Sequence, residues 1–295
     1  MPKVSDNGIE LYYEATGPAD APVILLVMGL GTQMIAWPDA LIEGLVAKGF
    51  RVIHYDNRDV GLSTHLNGAQ APSLLWTMIA SRFGLPLNLP YRVRDMAADG
   101  VRLLDALGIE KAHIVGASMG GMIVQHIAAT YADRVRSMTS IMSSSGARGL
   151  PGPDAEIRKR LMTRRPANPT RDEAIQLGVE AIRQISYPDP ARASDAFEVM
   201  AARAFDRAYD PAGFRRQLLA IIADGSRVDM LKRIKVPTLV VHGKADRLVP
   251  WQCSEDIARH ITGARFELID EMAHDLPPSQ VDRMVELIAG HAAAH

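Results

Sequence analysis

Apolar positions along the chain follow two periods that alternate. Short, nearly uninterrupted apolar runs occupy residues 22–28, 51–55, 113–115, 135–142, 236–242 and 265–269, the pattern of strands buried on both faces. Between them, apolar residues recur at three- and four-residue steps, which predicts helices over 34–48, 91–107, the stretch following Gly121, 254–261 and 281–291. Residues 9–15 (IELYYEA), closed by Gly17-Pro18, read as part of an antiparallel edge. Residues 63–89 mix Pro, Gly and Asn with bulky apolar side chains and predict an irregular loop with a short helix at 74–80.

The alternation stops between Gly146 and Asp229. That stretch has no strand-like run and is punctuated by Pro151, Pro153, Pro166, Pro169, Pro188, Pro190 and Pro211, with helical patterns at 154–164, 170–185, 192–207 and 211–223. The economical solution is an α/β fold: a mostly parallel twisted sheet with helices on both faces, carrying an inserted all-helical cap. The expected organisation is a core formed by 1–145 and 230–295, with the cap at 146–229.

Composition narrows the function classes. Hydrophobic residues make up 47% and charged residues 23% of the 295 positions, with a formal net charge of -1. This is ordinary globular composition, and its charge argues against a nucleic-acid partner or an anionic membrane surface. The lone Cys253 cannot form an intramolecular disulfide and reads as structural filler. The N-terminal stretch lacks the apolar segment of a signal peptide, and no uncharged apolar run reaches the roughly 18 residues of a membrane span. A soluble cytoplasmic protein is expected; oligomeric state is left open.

The chemistry gathers at residues 112–121, AHIVGASMGG. Here G-x-S-x-G lies between a strand and a helix, the setting of a nucleophile elbow, with Ser118 as candidate nucleophile. Gly116 and Gly120 give the strand and helix room to approach, and the Met119 amide opens the helix, directed where an oxyanion would form. A serine needs a base, and the base an orienting acid. The later strand ends supply both in the required order: Asp246 in HGKADRLVP and His274 in DEMAHDLPP. The loop after the strand at 135–142 offers only Ser143, Ser144, Ser145 and Gly146, so no carboxylate competes there. Asp270, Glu271 and Asp275 are too close to His274 in sequence and read as turn or capping residues, and Asp56, Arg58 and Asp59 as a hydrogen-bonded scaffold. His54, His113 and His242 read as core histidines. The turn Met28-Gly29-Leu30-Gly31 contributes a second oxyanion donor, the Leu30 amide. No histidine spacing signals a metal, and the glycines do not form a dinucleotide fingerprint, so neither metal nor cofactor is expected.

The segments VMGLGTQMIAWP, YDNRDVGLS, GASMGGM, HGKADRLVP and EMAHDLPP resemble those of the α/β-hydrolase superfamily, in the subgroup of the aclacinomycin methylesterases and serine-dependent macrolide esterases. The resemblance implies a catalytic triad of Ser118, Asp246 and His274, an oxyanion hole at Leu30 and Met119, and a helical cap. One departure is Met28-Gly29, where most relatives have His-Gly. The implied activity is hydrolysis of a small-molecule carboxylic ester through an acyl-enzyme. Met28, Trp37 and Met122 would line an apolar wall, and the cap residues Phe197, Phe205, Tyr209 and Phe214 suit a medium or large hydrophobic ester or lactone, such as a polyketide or macrolide. A cofactor-free perhydrolase or haloperoxidase, or a carbon–carbon bond hydrolase, would use the same three residues. A non-catalytic ligand receptor on this fold would typically lose one of them.

Overall fold

The computed structural model describes residues 3–6, 8–164 and 166–295; Met1, Pro2, Asn7 and Arg165, which belong to the expected core and cap segments, lie outside them. Its strands are β1 (Lys3–Asp6), β2 (Ile9–Thr16), β3 (Val23–Val27), β4 (Arg51–Tyr55), β5 (Ala112–Ala117), β6 (Val135–Ile141), β7 (Thr238–Gly243) and β8 (Arg265–Ile269). They form one sheet in the order β1-β2-β4-β3-β5-β6-β7-β8. β1 and β2 pair antiparallel, β2 and β4 antiparallel, and every pairing from β4 to β8 is parallel. The helices outside the 146–229 segment are α1 (Asp39–Ala47), α2 (Leu74–Phe83), α3 (Val93–Ala106), α4 (Met119–Thr130), α10 (Gln252–His260) and α11 (Val281–Ala293).

Burial on both faces follows from the strand residues. Along β3, Val23, Leu25 and Val27 enter one core cluster with residues of α3, α4 and α10, while Ile24 and Leu26 enter the other with α1 and α11. Each fully buried Leu or Ile contributes roughly 1.5–3 kcal/mol, so the central parallel strands anchor the loops that leave their C-terminal ends. The chain turns to β4 on one side of β3 and later to β5 on the other. The loops after β3 and β5 therefore flank the point where strand order reverses, the crevice in which such sheets bind ligands.

Three predicted elements differ, one of them only in that the helix expected over 192–207 begins at Ala196. The helix expected over 34–48 is a single 3-10 turn, Met34–Ala36, followed by α1 from Asp39. Pro38 forces the break: the residue before proline is driven out of the helical region, and Trp37 has ψ 126°. The antiparallel edge is two strands, since the polar segment Lys3–Asp6 pairs with β2. In the inserted segment the helices are α5 (Ala155–Met162), α6 (Arg171–Ile185), α7 (Ala196–Arg207), α8 (Pro211–Asp224) and the short α9 (Val228–Leu231). Thr170 caps α6 by accepting from the Glu173 amide while its own amide donates to the Glu173 carboxylate, and Asp210 caps α8 ahead of Pro211. Gln33, Asp59 and His274, on loops after β3, β4 and β8, all bond to this segment, which therefore lies over the C-terminal edge of the sheet.

Candidate active site

Ser118 stands between β5 and α4 with φ 57° and ψ -116°, a sparsely populated conformation for a non-glycine residue. Its surroundings hold it there. The Ser118 amide donates to the Ile141 carbonyl (2.9 Å), and its own carbonyl accepts from Ser143 Oγ (2.8 Å). The flanking glycines are required by close approach: a Cβ on Gly116 would stand 2.1 Å from the Gly120 oxygen, and one on Gly120 would stand 2.0 Å from the Val27 oxygen. The serine-rich loop after β6, which has no acid to offer, thus supports the elbow instead.

The structure brings the three sequence-predicted side chains together. Ser118 Oγ lies 2.9 Å from His274 Nε2, and His274 Nδ1 lies 2.7 Å from Asp246 Oδ2. With Nδ1–H donating to the carboxylate, Nε2 is left to accept the serine proton. Asp246 is buried, and its Oδ1 accepts from the Leu248 and Val249 amides, each at 2.8 Å. Burial pushes its carboxyl up, but His274 and His242 outweigh that and hold it well below the usual carboxylate range. His242 is the participant that sequence reasoning missed. It is fully buried on β7, and its Nε2 lies 2.8 Å from the Val249 carbonyl and 3.1 Å from Asp246 Oδ2. Both neighbours are acceptors, so Nε2 carries the proton and donates to them. A strand histidine four residues before the acid was legible only as a core residue.

The loop after β3 runs against the elbow. A Cβ on Gly29 would lie 3.0 Å from Ser118 Cβ, and one on Gly31 (φ 61°) would lie 2.4 Å from the Phe214 ring. The position of the loop is fixed from several directions. Asn57 Nδ2 donates to the Met28 carbonyl (3.0 Å), and the Gly31 amide donates to Gln217 Oε1 (2.7 Å). Gln217, fully buried on α8, also donates from Nε2 to the Arg58 carbonyl (2.8 Å). The Met119 amide opens α4, where amides have no acceptor within the helix. The turn at Gly29 and the first residue of α4 therefore both adjoin Ser118.

The expected apolar wall is rearranged. Trp37 is 1% exposed and packs with Met28, Leu41 and Ile42 in the core cluster beneath α1, because the break at Pro38 turns it inward; it belongs to the core and not to an open wall. Met28 joins the same cluster, whereas Met122 is partly buried against the opposite one. Of the aromatic residues in the inserted segment, Phe214 reaches the Gly31 turn. Phe205 and Tyr209 pack on each other at 5.4 Å, and Phe197 lies under the Arg192 guanidinium.

Carboxylates near the site act as joints. Asp56 accepts from the Met34 and Leu62 amides and pairs with Arg207 (2.6 Å). Arg58 donates two hydrogen bonds, from Nε and Nη2, to the two carboxylate oxygens of Asp99, and Arg216 does the same to Asp59. Asp275 accepts from the Tyr187 amide and pairs with Arg192, while the His274 amide donates to the Ile185 carbonyl. Asp59, His65 and Asp210 also converge with ligand-type atoms within 4.8 Å. The cation among them is Arg216, bonded to both carboxylates. Buried Cys253 directs Sγ to the Pro151 carbonyl, and burial pushes its thiol up.

This geometry is accompanied by a match of residues 22–278 to the alpha/beta hydrolase fold family, to which the chain belongs. Within that family it is similar to rhodomycin D methylesterases and to putative carbamate hydrolases. It is 28% identical to rhodomycin D methylesterase DnrP of Streptomyces peucetius, over 99% of this chain and 97% of that protein. It is 30% identical to a putative carbamate hydrolase, RutD, of Azorhizobium caulinodans, over 98% of this chain and 97% of that one. The enol-lactonase of Burkholderia xenovorans LB400 superposes with a TM-score of 0.75 at 23% identity, covering 99% of this chain and 100% of the other, a likeness of fold.

Proposed function

We propose that the protein is a serine carboxylic-ester hydrolase acting through an acyl-enzyme. The observation that carries this reading is the relay from half-buried Ser118 Oγ through His274 to buried Asp246, at 2.9 and 2.7 Å. In the first half-reaction Ser118 Oγ attacks the ester carbonyl carbon as its proton passes to His274 Nε2. Asp246 keeps the imidazole in the tautomer that accepts at Nε2 and stabilises the imidazolium. The tetrahedral oxyanion is received by the Leu30 and Met119 amides, and collapse transfers the His274 proton to the departing alcohol. Water then attacks the acyl-enzyme with His274 as base, releasing the acid and restoring Ser118.

The helical segment 146–229 acts in this reading as a cap. Its packing on the loops after β3, β4 and β8 supports that role, and Phe214 beside Gly31 supports an apolar acyl or alcohol group. The full-length likeness to a rhodomycin D methylesterase supports a bulky polyketide methyl ester, with a lactone as the related substrate class. The test is hydrolysis of p-nitrophenyl butyrate and of a panel of anthracycline methyl esters and macrolides, followed by mass spectrometry. Ser118→Ala should abolish turnover with the melting temperature retained; a fully active variant would overturn the assignment.

A further inference from the structure

Helix α2, LLWTMIASRF, is inside out. Its fully buried side chains are the small Thr77 and Ala80, and Ser81 Oγ donates to the Ile222 carbonyl of α8 (2.7 Å). Its large apolar side chains point to solvent: Leu75 is 67% exposed, Trp76 47%, Met78 43%, Ile79 39% and Phe83 73%, and Leu85 follows just beyond the Gly84 cap. A helix held only by its own core shows the reverse arrangement, and an exposed apolar face of this extent marks an interaction surface.

Two exposed arginines without ion pairs among the described residues, Arg82 and Arg148, border this face. Residues 60–94 contain no Asp or Glu, but include Arg82, Arg92 and Arg94. Arg82, in the last turn of α2, is exposed, and exposed Arg148 donates to the Arg82 carbonyl. On α8, which packs beneath α2, Arg215 is exposed, whereas the acids at its two ends are already engaged: Asp210 with His65 and Arg216, and Asp224 with His126 and Arg227. The whole-chain charge of -1, from which no membrane partner is expected, conceals this local excess.

We propose that α2 is an interfacial helix that docks the protein on an anionic lipid surface. Leu75, Trp76, Ile79 and Phe83 enter the boundary between headgroups and acyl chains while Arg82 and Arg148 meet the anionic headgroups. A second copy of the chain is the less favourable occupant, because a two-fold contact would set the arginines of one α2 face against those of the other with no carboxylate between them. Docking requires no spanning segment, and among the described residues no helix is long and apolar enough to cross a membrane. The face is one helix away from the candidate site, since α8 carries both the Ser81 contact and Gln217. The proposal stands independently of the esterase reading.

The test is co-sedimentation of the full chain with vesicles rich in phosphatidylglycerol and with pure phosphatidylcholine vesicles, alongside analytical ultracentrifugation without lipid. Binding to the anionic vesicles, weakened by salt and lost in Trp76→Ser/Phe83→Ser, is expected. Arg82→Gln and Arg148→Gln should each weaken it about fivefold. Trp76→Phe should still bind but lose most of the lipid-induced blue shift in tryptophan emission. Absence of binding, equal binding to neutral vesicles, or undiminished binding by the double variant overturns the proposal. So does a concentration-dependent dimer that the double variant dissolves.

Discussion

Gln217→Leu tests whether the inserted helices set the geometry of the loop beside Ser118. The substitution keeps most of the side-chain volume in a fully buried position but removes both hydrogen-bonding groups. It leaves the Gly31 amide and the Arg58 carbonyl without their partners at 2.7 and 2.8 Å. Each such loss costs about 1–3 kcal/mol of stability, so assays belong well below the melting transition. For activity, complete loss of one oxyanion donor costs about 2.7–4 kcal/mol. The loop keeps its tie from Asn57 to Met28 and its contact with Ser118, so the Leu30 amide should be loosened and not lost. The expected effect is about 1.4 kcal/mol, a tenfold fall in kcat with KM for p-nitrophenyl butyrate little changed. Affinity for a boronic acid that forms a tetrahedral adduct on Ser118 should fall in parallel. If the melting temperature drops while kcat and boronate affinity stay within about twofold of wild type, Gln217 supports only the fold, and the positioning argument fails.

Other perturbations address different parts of the structure. His242→Phe removes a donor from Asp246, and kcat should fall by less than about tenfold. The depressed Asp246 carboxyl contributes stability above its ordinary pKa of 3.8 that is lost as pH falls, so the variant should unfold at higher pH in an acid titration followed by circular dichroism. His65 faces acceptors with both ring nitrogens, Asp210 at 2.7 Å and the Gly61 carbonyl at 2.9 Å. Burial lowers its pKa, but these two partners raise it above 6.5 overall. Its stabilisation is therefore full below about 6.5 and lost as pH rises through the folded value, so the melting-temperature gap between wild type and His65→Gln should narrow over that rise. Gly116→Ala would press a methyl group onto the Gly120 carbonyl and should cost about 3 kcal/mol or more in denaturant unfolding.

The parallel strands and the residues at their ends were legible because a strand buried on both faces needs a continuous apolar run, and Ser118, Asp246 and His274 each follow one. β1 was not, because the strand KVSD is largely exposed and edge pairing needs only backbone. Apolar periodicity continues across Trp37-Pro38, but a proline backbone restriction overrides it and turns Trp37 into the core. His242, Gln217 and Asp275 act through polar contacts over long sequence separations or from within a strand, and such contacts leave no period. The inverted face of α2 was hidden for a related reason: periodicity finds an apolar helix face but does not say whether it faces inward.

The stitching of His274 and Asp275 to residues 185–192 has a consequence for how this scaffold can be recombined. Asp189 also accepts from the Ser279 amide, so the connection between α6 and α7 and the loop after β8 form one interlocked joint. Exchanging the helical segment with that of a relative would leave the histidine loop facing foreign partners. A working chimaera must therefore carry residues 274–279 together with the helices, which makes the helical segment and the loop that bears His274 a single transferable unit.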